Sequence, residues 1–189
     1  MSRKSARLPI DPNTNLPSIH TFGELSHFLR SAVADEDTRI FSEGMGELAA
    51  QVEAIVQRLR EDRNREAVAP MLMDLMTVLR DHRAMVVNLG LAWRGLYEYP
   101  AYLQALNNLR VLIGQWLLQG GAAQRELPLS PEDFELVAWR TLGEGLLLID
   151  MYEQWLASEA PETGPGPGPA AATEPQVERA LQWWQKLRL

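Results

Sequence analysis

The feature that most constrains this chain is a set of four segments in which apolar residues recur in alternating steps of four and three. The strictest of these runs from Phe41 to Leu59, and similar seams occupy residues 68–89, 102–116 and 134–155. This spacing places the apolar side chains on one face of an α-helix, which must then be buried against a neighbour. Alternation of apolar and polar residues, the pattern of a half-buried strand, is nearly absent. The sequence therefore predicts an all-α fold.

Local signals indicate where the helices begin. Thr21 and Glu24 have the spacing of a capping box, and Ser130 is a good N-cap followed by a proline that suits the first helical position. The segment after Ser130 has the widest apolar surface in the chain, so we expect it to occupy the centre of the fold. The predicted helices cover about residues 22–33, 38–60, 65–89, 100–119 and 130–156.

Four long helices with short connections favour an antiparallel helical bundle, with the short N-terminal helix packed across one end. This bundle domain is predicted to span residues 19–159. Residues 1–18 contain three prolines among polar residues, which indicates an extended or disordered arm. Residues 160–175 alternate Gly and Pro and have no apolar anchor, as is typical of a linker. Its residues 161–175 would span about 20 Å as a flexible coil and about 45 Å when extended.

The last segment, residues 176–189, is predicted to be an amphipathic helix. A helix of this length is marginal alone in water, so we expect it to pack on a surface. Two adjacent tryptophans on a tether are typical of an anchor that fills a groove on a partner. The partner is another protein or a second copy of the chain, as a homodimer. The alternatives are that the helix folds back onto its own bundle or binds a membrane surface, for which its three basic residues and short apolar face are weak signals. The predicted partner-binding residues are Val177, Leu181, Trp183, Trp184, Lys186, Leu187 and Arg188.

The charge is distributed unevenly along the chain. The net charge is −7; Arg3, Lys4 and Arg7 give the first eight residues +3, and the last fourteen residues carry +2, so the body carries −7 − 3 − 2 = −12. An acidic body repels phosphate at long range, which argues against the usual electrostatic binding of duplex DNA. A second hypothesis is a small helical subunit of a nucleoprotein complex that contacts nucleic acid through Arg58, Arg63 and Arg65, although acidic residues alternate with these arginines.

Catalytic and metal-binding patterns are weak in this sequence. Glu24 and His27 form one E-x-x-H step, but a di-iron bundle needs a second such step and two further carboxylates. His82 lies in an apolar seam, where a histidine is more often a hydrogen-bonded core residue than a catalyst. A helical enzyme or ligand sensor at the end of the bundle near His82 and Trp93 is the third hypothesis. We predict no enzyme activity, no cofactor and no metal.

Glycines at two places carry other signals. Gly44 and Gly46 match a G-x-G-x-x-A pattern, but dinucleotide binding needs a preceding strand and the flanking period here is helical. Gly143 and Gly145 lie inside the helix that follows Ser130, where each glycine costs about 1 kcal/mol relative to alanine. Close approach of another helix would offset that cost, so we predict tight packing at this point.

The chain of 189 residues fits one domain with tails and contains no cysteine. The absence of cysteine excludes disulfides and thiolate metal sites and is consistent with a reducing cytoplasm. The apolar runs are shorter than the roughly 20 residues that a membrane-spanning helix requires. We therefore expect a soluble cytoplasmic protein that acts as an adaptor, a scaffold or an accessory subunit of a larger assembly.

Overall fold

The computed structural model describes residues 19–31, 36–89, 98–119 and 124–159, and this part of the chain contains five α-helices and no strand. The all-α prediction is confirmed for these residues. The predicted arm, linker and C-terminal helix, residues 1–18, 160–175 and 176–189, lie outside the described residues. The helices are α1 (Phe22–Ser31), α2 (Glu36–Glu61), α3 (Arg65–Leu89), α4 (Glu98–Leu118) and α5 (Pro131–Glu159).

The predicted caps of α1 and α5 are confirmed. At the start of α1, the Glu24 amide donates to Thr21 Oγ1 at 3.1 Å and the Thr21 amide donates to Glu24 Oε2 at 3.2 Å. At the start of α5, the Asp133 amide donates to Ser130 Oγ at 3.1 Å. Each cap satisfies helix N–H groups that have no partner inside the helix.

The connection between α2 and α3 packs against the connection that precedes α5. Asn64 forms an isolated antiparallel bridge with Glu126, and the Leu127 amide donates to the Arg63 carbonyl at 3.1 Å. The Arg65 guanidinium donates to the carbonyls of Leu117 and Gln119 at the end of α4. These carbonyls have no helical partner of their own, so Arg65 caps α4 from a different helix.

Helices α2 and α5 each contact at least three other helices. Helix α2 packs against α1, α3 and α5, and α5 packs against α2 and α4 and meets α1 where Trp139 stacks on Phe22 with ring centroids 4.2 Å apart. The segment after Ser130 therefore has neighbours on more than one side, as its wide apolar surface predicts, and shares the centre of the fold with α2. Between α1 and α2, Ser26 Oγ donates to the Gly46 carbonyl at 2.7 Å.

Contacts between α4 and α5 fix how these two helices lie along each other. Near the start of α4, Tyr102 lies against Gly145 at the midpoint of α5. Near the end of α4, Trp116 meets Phe134 in the first turn of α5, edge to face, with ring centroids 6.2 Å apart. The end of α4 therefore lies beside the first turn of α5, and the start of α4 lies beside the middle of α5. Beyond this point of α5, Tyr152 is also buried.

One cluster of buried apolar side chains is drawn from all five helices and from the connection before α5. Burying each large aliphatic or aromatic side chain contributes about 1.5–3 kcal/mol, so this cluster is the main source of stability. Met45 and Tyr102 lie in its middle, where α2, α4 and α5 meet. Its largest fully buried members include Tyr102, Phe22, Phe41, Phe134, Leu25, Leu29, Met45, Leu48, Ile55, Leu72 and Leu75.

Candidate functional site

The predicted partner-binding residues all fall outside the described residues. They are Val177, Leu181, Trp183, Trp184, Lys186, Leu187 and Arg188. Their role stays a prediction. The described helices nevertheless carry two features that bear on function. One is a buried polar pair, His82 and Tyr102, and the other is a row of exposed, uncharged residues on α4.

The buried polar pair joins α3 to α4. His82 Nε2 and the Tyr102 hydroxyl are 2.7 Å apart, and the two side chains are 4% and 0% exposed. The rings of Phe41 and Tyr102 are tilted against each other with centroids 5.4 Å apart, so Phe41 covers the pair. The prediction that His82 is a hydrogen-bonded core residue is confirmed. A buried bond of this kind holds α3 and α4 in one register.

Burial changes the titration of both groups. It lowers the pKa of His82 to about 4, because the charged imidazolium is costly to hold in an apolar interior. It raises the pKa of Tyr102 well above its usual value for the same reason. The neutral forms therefore persist at pH 7. Sealed side chains that stay neutral are suited to fixing helix positions, whereas an acid or base must reach a substrate.

Close helix contacts surround the pair, and glycine makes them possible. A Cβ atom on Gly44 of α2 would lie 2.5 Å from His82 Nδ1, and one on Gly145 would lie 2.8 Å from Tyr102 Cε2 and 2.7 Å from Met45 Sδ. The predicted tight packing at Gly145 is confirmed. Gly44 is part of the G-x-G-x-x-A pattern for which nucleotide binding was rejected. Its role in the structure is to leave room for the His82 ring, and no sequence pattern indicated this role.

Three buried polar side-chain atoms have no hydrogen-bond partner among the described residues. They are Ser42 Oγ, Gln51 Oε1 and His82 Nδ1. The Ser42 hydroxyl and His82 do not bond to each other, so these two residues do not form a nucleophile–base pair. The unpaired atoms are a cost to stability, which the surrounding apolar contacts must exceed.

The E-x-x-H step at Glu24 and His27 is used for capping. Glu24 accepts from the backbone amides of His20 and Thr21, and these bonds, with that of His20 the larger, lower the pKa of the exposed Glu24 carboxyl. Within residues 19–159, as far as the structure describes them, no group of three His, Asp or Glu residues is placed to hold a metal ion.

The arginines of the nucleic-acid hypothesis are partly engaged elsewhere. Arg58 pairs with Glu61 at 3.3 Å and with Asp62 at 3.8 Å on the same helical turn. Arg65 caps the end of α4, as described above. Arg63 is exposed. Two of the three cations therefore already have acceptors, which reduces the unopposed positive charge that phosphate binding needs.

One side of α4 carries a row of exposed residues without charge. Ala101, Gln104, Asn108, Val111, Gln115 and Leu118 are all exposed and follow one another in steps of three and four. This spacing places them on one side of the helix, and we refer to them as the α4 stripe. Arg110 is the one exposed charged residue of α4 whose side chain the structure describes.

The exposed large apolar side chains belong to α3 and α4, and on α3 they share one side of the helix with exposed Arg80, which lies seven residues from both Met73 and Val87. In the described part of the chain, the large apolar residues left exposed are Met73 (60%) and Val87 (45%) of α3 and Val111 (48%) and Leu118 (81%) of α4. All four belong to two helices that pack against each other. Single exposed apolar residues are ordinary, but such a concentration is typical of a surface that another element covers.

Gly114 of α4 opens this surface further. A Cβ atom built there would meet only the methyl group of Met76 of α3, at 4.0 Å. Gly44 and Gly145 are each needed for a close contact inside the chain, whereas Gly114 is not. A glycine inside a helix costs about 1 kcal/mol relative to alanine. We define the α3–α4 face as the α4 stripe together with Gly114, Met73 and Val87.

The length and apolar character of the described helices bear on whether any of them could cross a membrane. None of the helices that the structure describes combines the length and the apolar character needed to cross a bilayer. Comparisons with protein-family models, with curated proteins and with solved structures found no match. Function must therefore be argued from the residues themselves.

Proposed function

We propose that this chain is a non-enzymatic protein–protein interaction module, an adaptor, scaffold or accessory subunit of a larger assembly, that docks through a C-terminal helix at residues 176–189. In this proposal α2 to α5 form an antiparallel bundle that carries the docking helix on a Gly/Pro linker. The partner is another protein or a second copy of the chain, in the cytoplasm.

One feature carries the proposal: Trp183 and Trp184 lie in an amphipathic segment that follows a linker without a large apolar residue. Tryptophan contributes a large apolar area and a hydrogen-bond donor at low conformational cost, which is why it dominates many interfaces. A tether lets such a segment search for a groove while the bundle stays folded.

The described core supports the proposal indirectly. Its polar groups serve structural purposes: Glu24 caps a helix, Arg65 caps another, and His82 is sealed against Tyr102. The buried side chains of the five helices form one cluster. We infer that this cluster does not need residues 176–189 to fold, so that these residues serve an external contact.

The test compares three full-length chains. The first is unchanged, the second carries Trp183→Ala and Trp184→Ala, and the third carries Gln182→Ala and Gln185→Ala on the polar side of the same predicted helix. Each is used to capture partners, which are identified by mass spectrometry, and each is unfolded with urea. We expect the tryptophan variant to lose partners that the glutamine variant keeps, with a free energy of unfolding close to that of the unchanged chain. Identical partners for all three, or a large loss of stability in the tryptophan variant alone, would contradict the proposal.

A further inference from the structure

We propose that the α3–α4 face is the resting site of the chain's own C-terminal segment, residues 176–189, when no partner is bound. This inference rests on the proposed function in one respect: it takes these residues to be an amphipathic docking helix. It adds where that helix lies before it meets a partner.

The first support is the chemistry of the face. Four large apolar side chains of the face, Met73, Val87, Val111 and Leu118, are exposed, and the α4 stripe has no charge; exposed Arg80 lies midway between Met73 and Val87. The C-terminal segment offers a complementary surface, since its apolar residues share one arc of a helical wheel. Contact between the two would remove both apolar surfaces from water.

The second support is Gly114. Gly114 is half-buried, lies one turn after exposed Arg110, and has no side chain beside the Met76 methyl, which is 4.0 Å from where its Cβ would be. Apart from chain neighbours and the backbone of α4, no other described atom lies within 4 Å of that position, and we call this space the opening at Gly114. A helix-interior glycine is costly. Close approach of a bulky side chain, such as an indole from the C-terminal segment, explains why a glycine is suitable there.

The third support is that the linker is long enough to bring residue 176 from the end of α5 to the α4 stripe. Helix α5 ends at Glu159, and its Gly145 lies beside Tyr102 near the start of α4. The fourteen residues from Gly145 to Glu159 extend about 21 Å along the helix axis, so the linker begins about 20 Å beyond the start of the α4 stripe. The linker spans about 20 Å as a coil and about 45 Å when extended. It can therefore place residue 176 at the start of the stripe without strain.

The lengths of the two elements also agree. A helix of fourteen residues is about 21 Å long, and the α4 stripe from Ala101 to Leu118 extends over about 26 Å. The C-terminal segment carries +2 and the body −12, as counted from the sequence, so long-range attraction favours their encounter.

Tethering explains why the occupant is the chain's own segment and not that of a second copy. A short flexible linker gives an effective concentration on the order of millimolar, well above the micromolar concentrations at which most proteins work. A partner must then displace the segment from the face, which lowers the apparent affinity in proportion to the fraction of chains that are closed.

The test uses the absence of native cysteine, which allows one fluorophore to be placed on the full-length chain. Asn108→Cys, in the middle of the α4 stripe, is labelled with bimane, a fluorophore that tryptophan quenches on contact. Ala54→Cys is the matched control, because Ala54 is exposed on α2, which packs mainly on α1, α3 and α5. Each labelled chain is compared with the same chain carrying Trp183→Ala and Trp184→Ala.

We expect removal of the two indoles to raise emission at position 108 about two-fold, as for a segment docked about half of the time, and to leave position 54 unchanged. The rise must persist on dilution. Filling the opening with Gly114→Met must also relieve quenching at position 108, whereas Gly23→Met, at a second open glycine on α1, must not.

Three results would overturn the inference. They are no rise at position 108, an equal rise at both positions, or a rise that disappears on dilution, which would assign the face to a second copy. Failure here is distinct from failure of the proposed function, because the capture experiment can still show that Trp183 and Trp184 bind a partner.

Discussion

Helices α2 and α4 both bury one side in the core, but their outer sides differ in charge. Nine of the 26 residues of α2 are charged, against two of the 21 residues of α4. On α2 these side chains pair with each other, as Arg39 does with Glu36 and Glu43. The charged residues are Glu36, Asp37, Arg39, Glu43, Glu47, Glu53, Arg58, Arg60 and Glu61 on α2, and Glu98 and Arg110 on α4.

The glycines of the two helices differ in the same way. Gly44 and Gly46 of α2 are filled by His82 and Arg30, which come within 2.5 Å and 2.9 Å of where a Cβ would be. Gly114 of α4 is open. The glycines of α2 are therefore covered within the described chain, whereas α4 has an open glycine and few charges, features that are common in surfaces which contact another element.

The largest expected effect is on the free energy of unfolding, which should depend strongly on the core side of α2 and little on the outer side of α4. Phe41→Ala should destabilise the protein by about 3–5 kcal/mol, because it leaves a cavity beside His82 and Tyr102. Leu118→Ala removes a side chain that is 81% exposed and should change stability by about 0.5 kcal/mol or less. Urea unfolding measures both. A large loss with Leu118→Ala would mean that the α4 face is part of the core.

The next effect is a dependence of stability on pH. The pKa of His82 is lowered to about 4 in the folded protein, whereas an unfolded histidine has its ordinary value of about 6.5. Between these values the unfolded chain takes up a proton that the folded chain refuses, so the contribution is fully present above pH 6.5 and is lost as pH falls towards 4. The loss approaches about 3 kcal/mol.

The control for this prediction is His82→Gln, which keeps polar atoms but does not titrate. Urea unfolding at pH 7.5, 6 and 5 should show a clear decline for the unchanged protein and a flatter profile for the variant. His20 and His27 are exposed and remain in both proteins. Equal profiles would show that His82 is not sealed in the way the structure indicates.

The smallest effects come from a matched pair of glycine substitutions. Gly44→Ala forces a methyl group against His82 Nδ1 and should destabilise by about 1–3 kcal/mol. Gly114→Ala meets no such obstacle and, in a chain that also carries Trp183→Ala and Trp184→Ala, should stabilise by about 0.5–1 kcal/mol. With the tryptophans present the gain should shrink, because the added methyl group hinders docking. An unchanged gain would argue against contact at Gly114.

Much of the helical structure was predictable because it follows from local patterns. The seam from Phe41 to Leu59 and the caps at Thr21 and Ser130 depend on residues close in sequence, and all are confirmed. The start of α4 was placed two residues late, and α5 runs to Glu159 and not to residue 156. Helix ends are decided by weak capping preferences and by tertiary contacts, so errors of this size are expected.

Features that depend on distant pairs were not predictable. No local pattern matches His82 with Tyr102 or indicates that Arg65 caps α4, because each pair is formed by the packing of separate helices. The α4 stripe had a signal that was overlooked: a helix of 21 residues with only two charged ones has too few to solvate its outer side. The opening at Gly114 could be found only from the structure, since the space beside Gly44 and Gly145, which are also helix-interior glycines, is occupied by neighbouring side chains.

Amide hydrogen exchange on the full-length chain tests most directly the claim that residues 176–189 dock on a surface and are not a piece of the core. The unchanged protein is compared with the chain carrying Trp183→Ala and Trp184→Ala. We predict faster exchange in α4 and at the exposed part of α3 in the variant, and unchanged exchange in α2. Faster exchange throughout α2 to α5 would show that the segment is a structural part of the core, and no change in α4 would show that it does not rest there; either result would contradict the account.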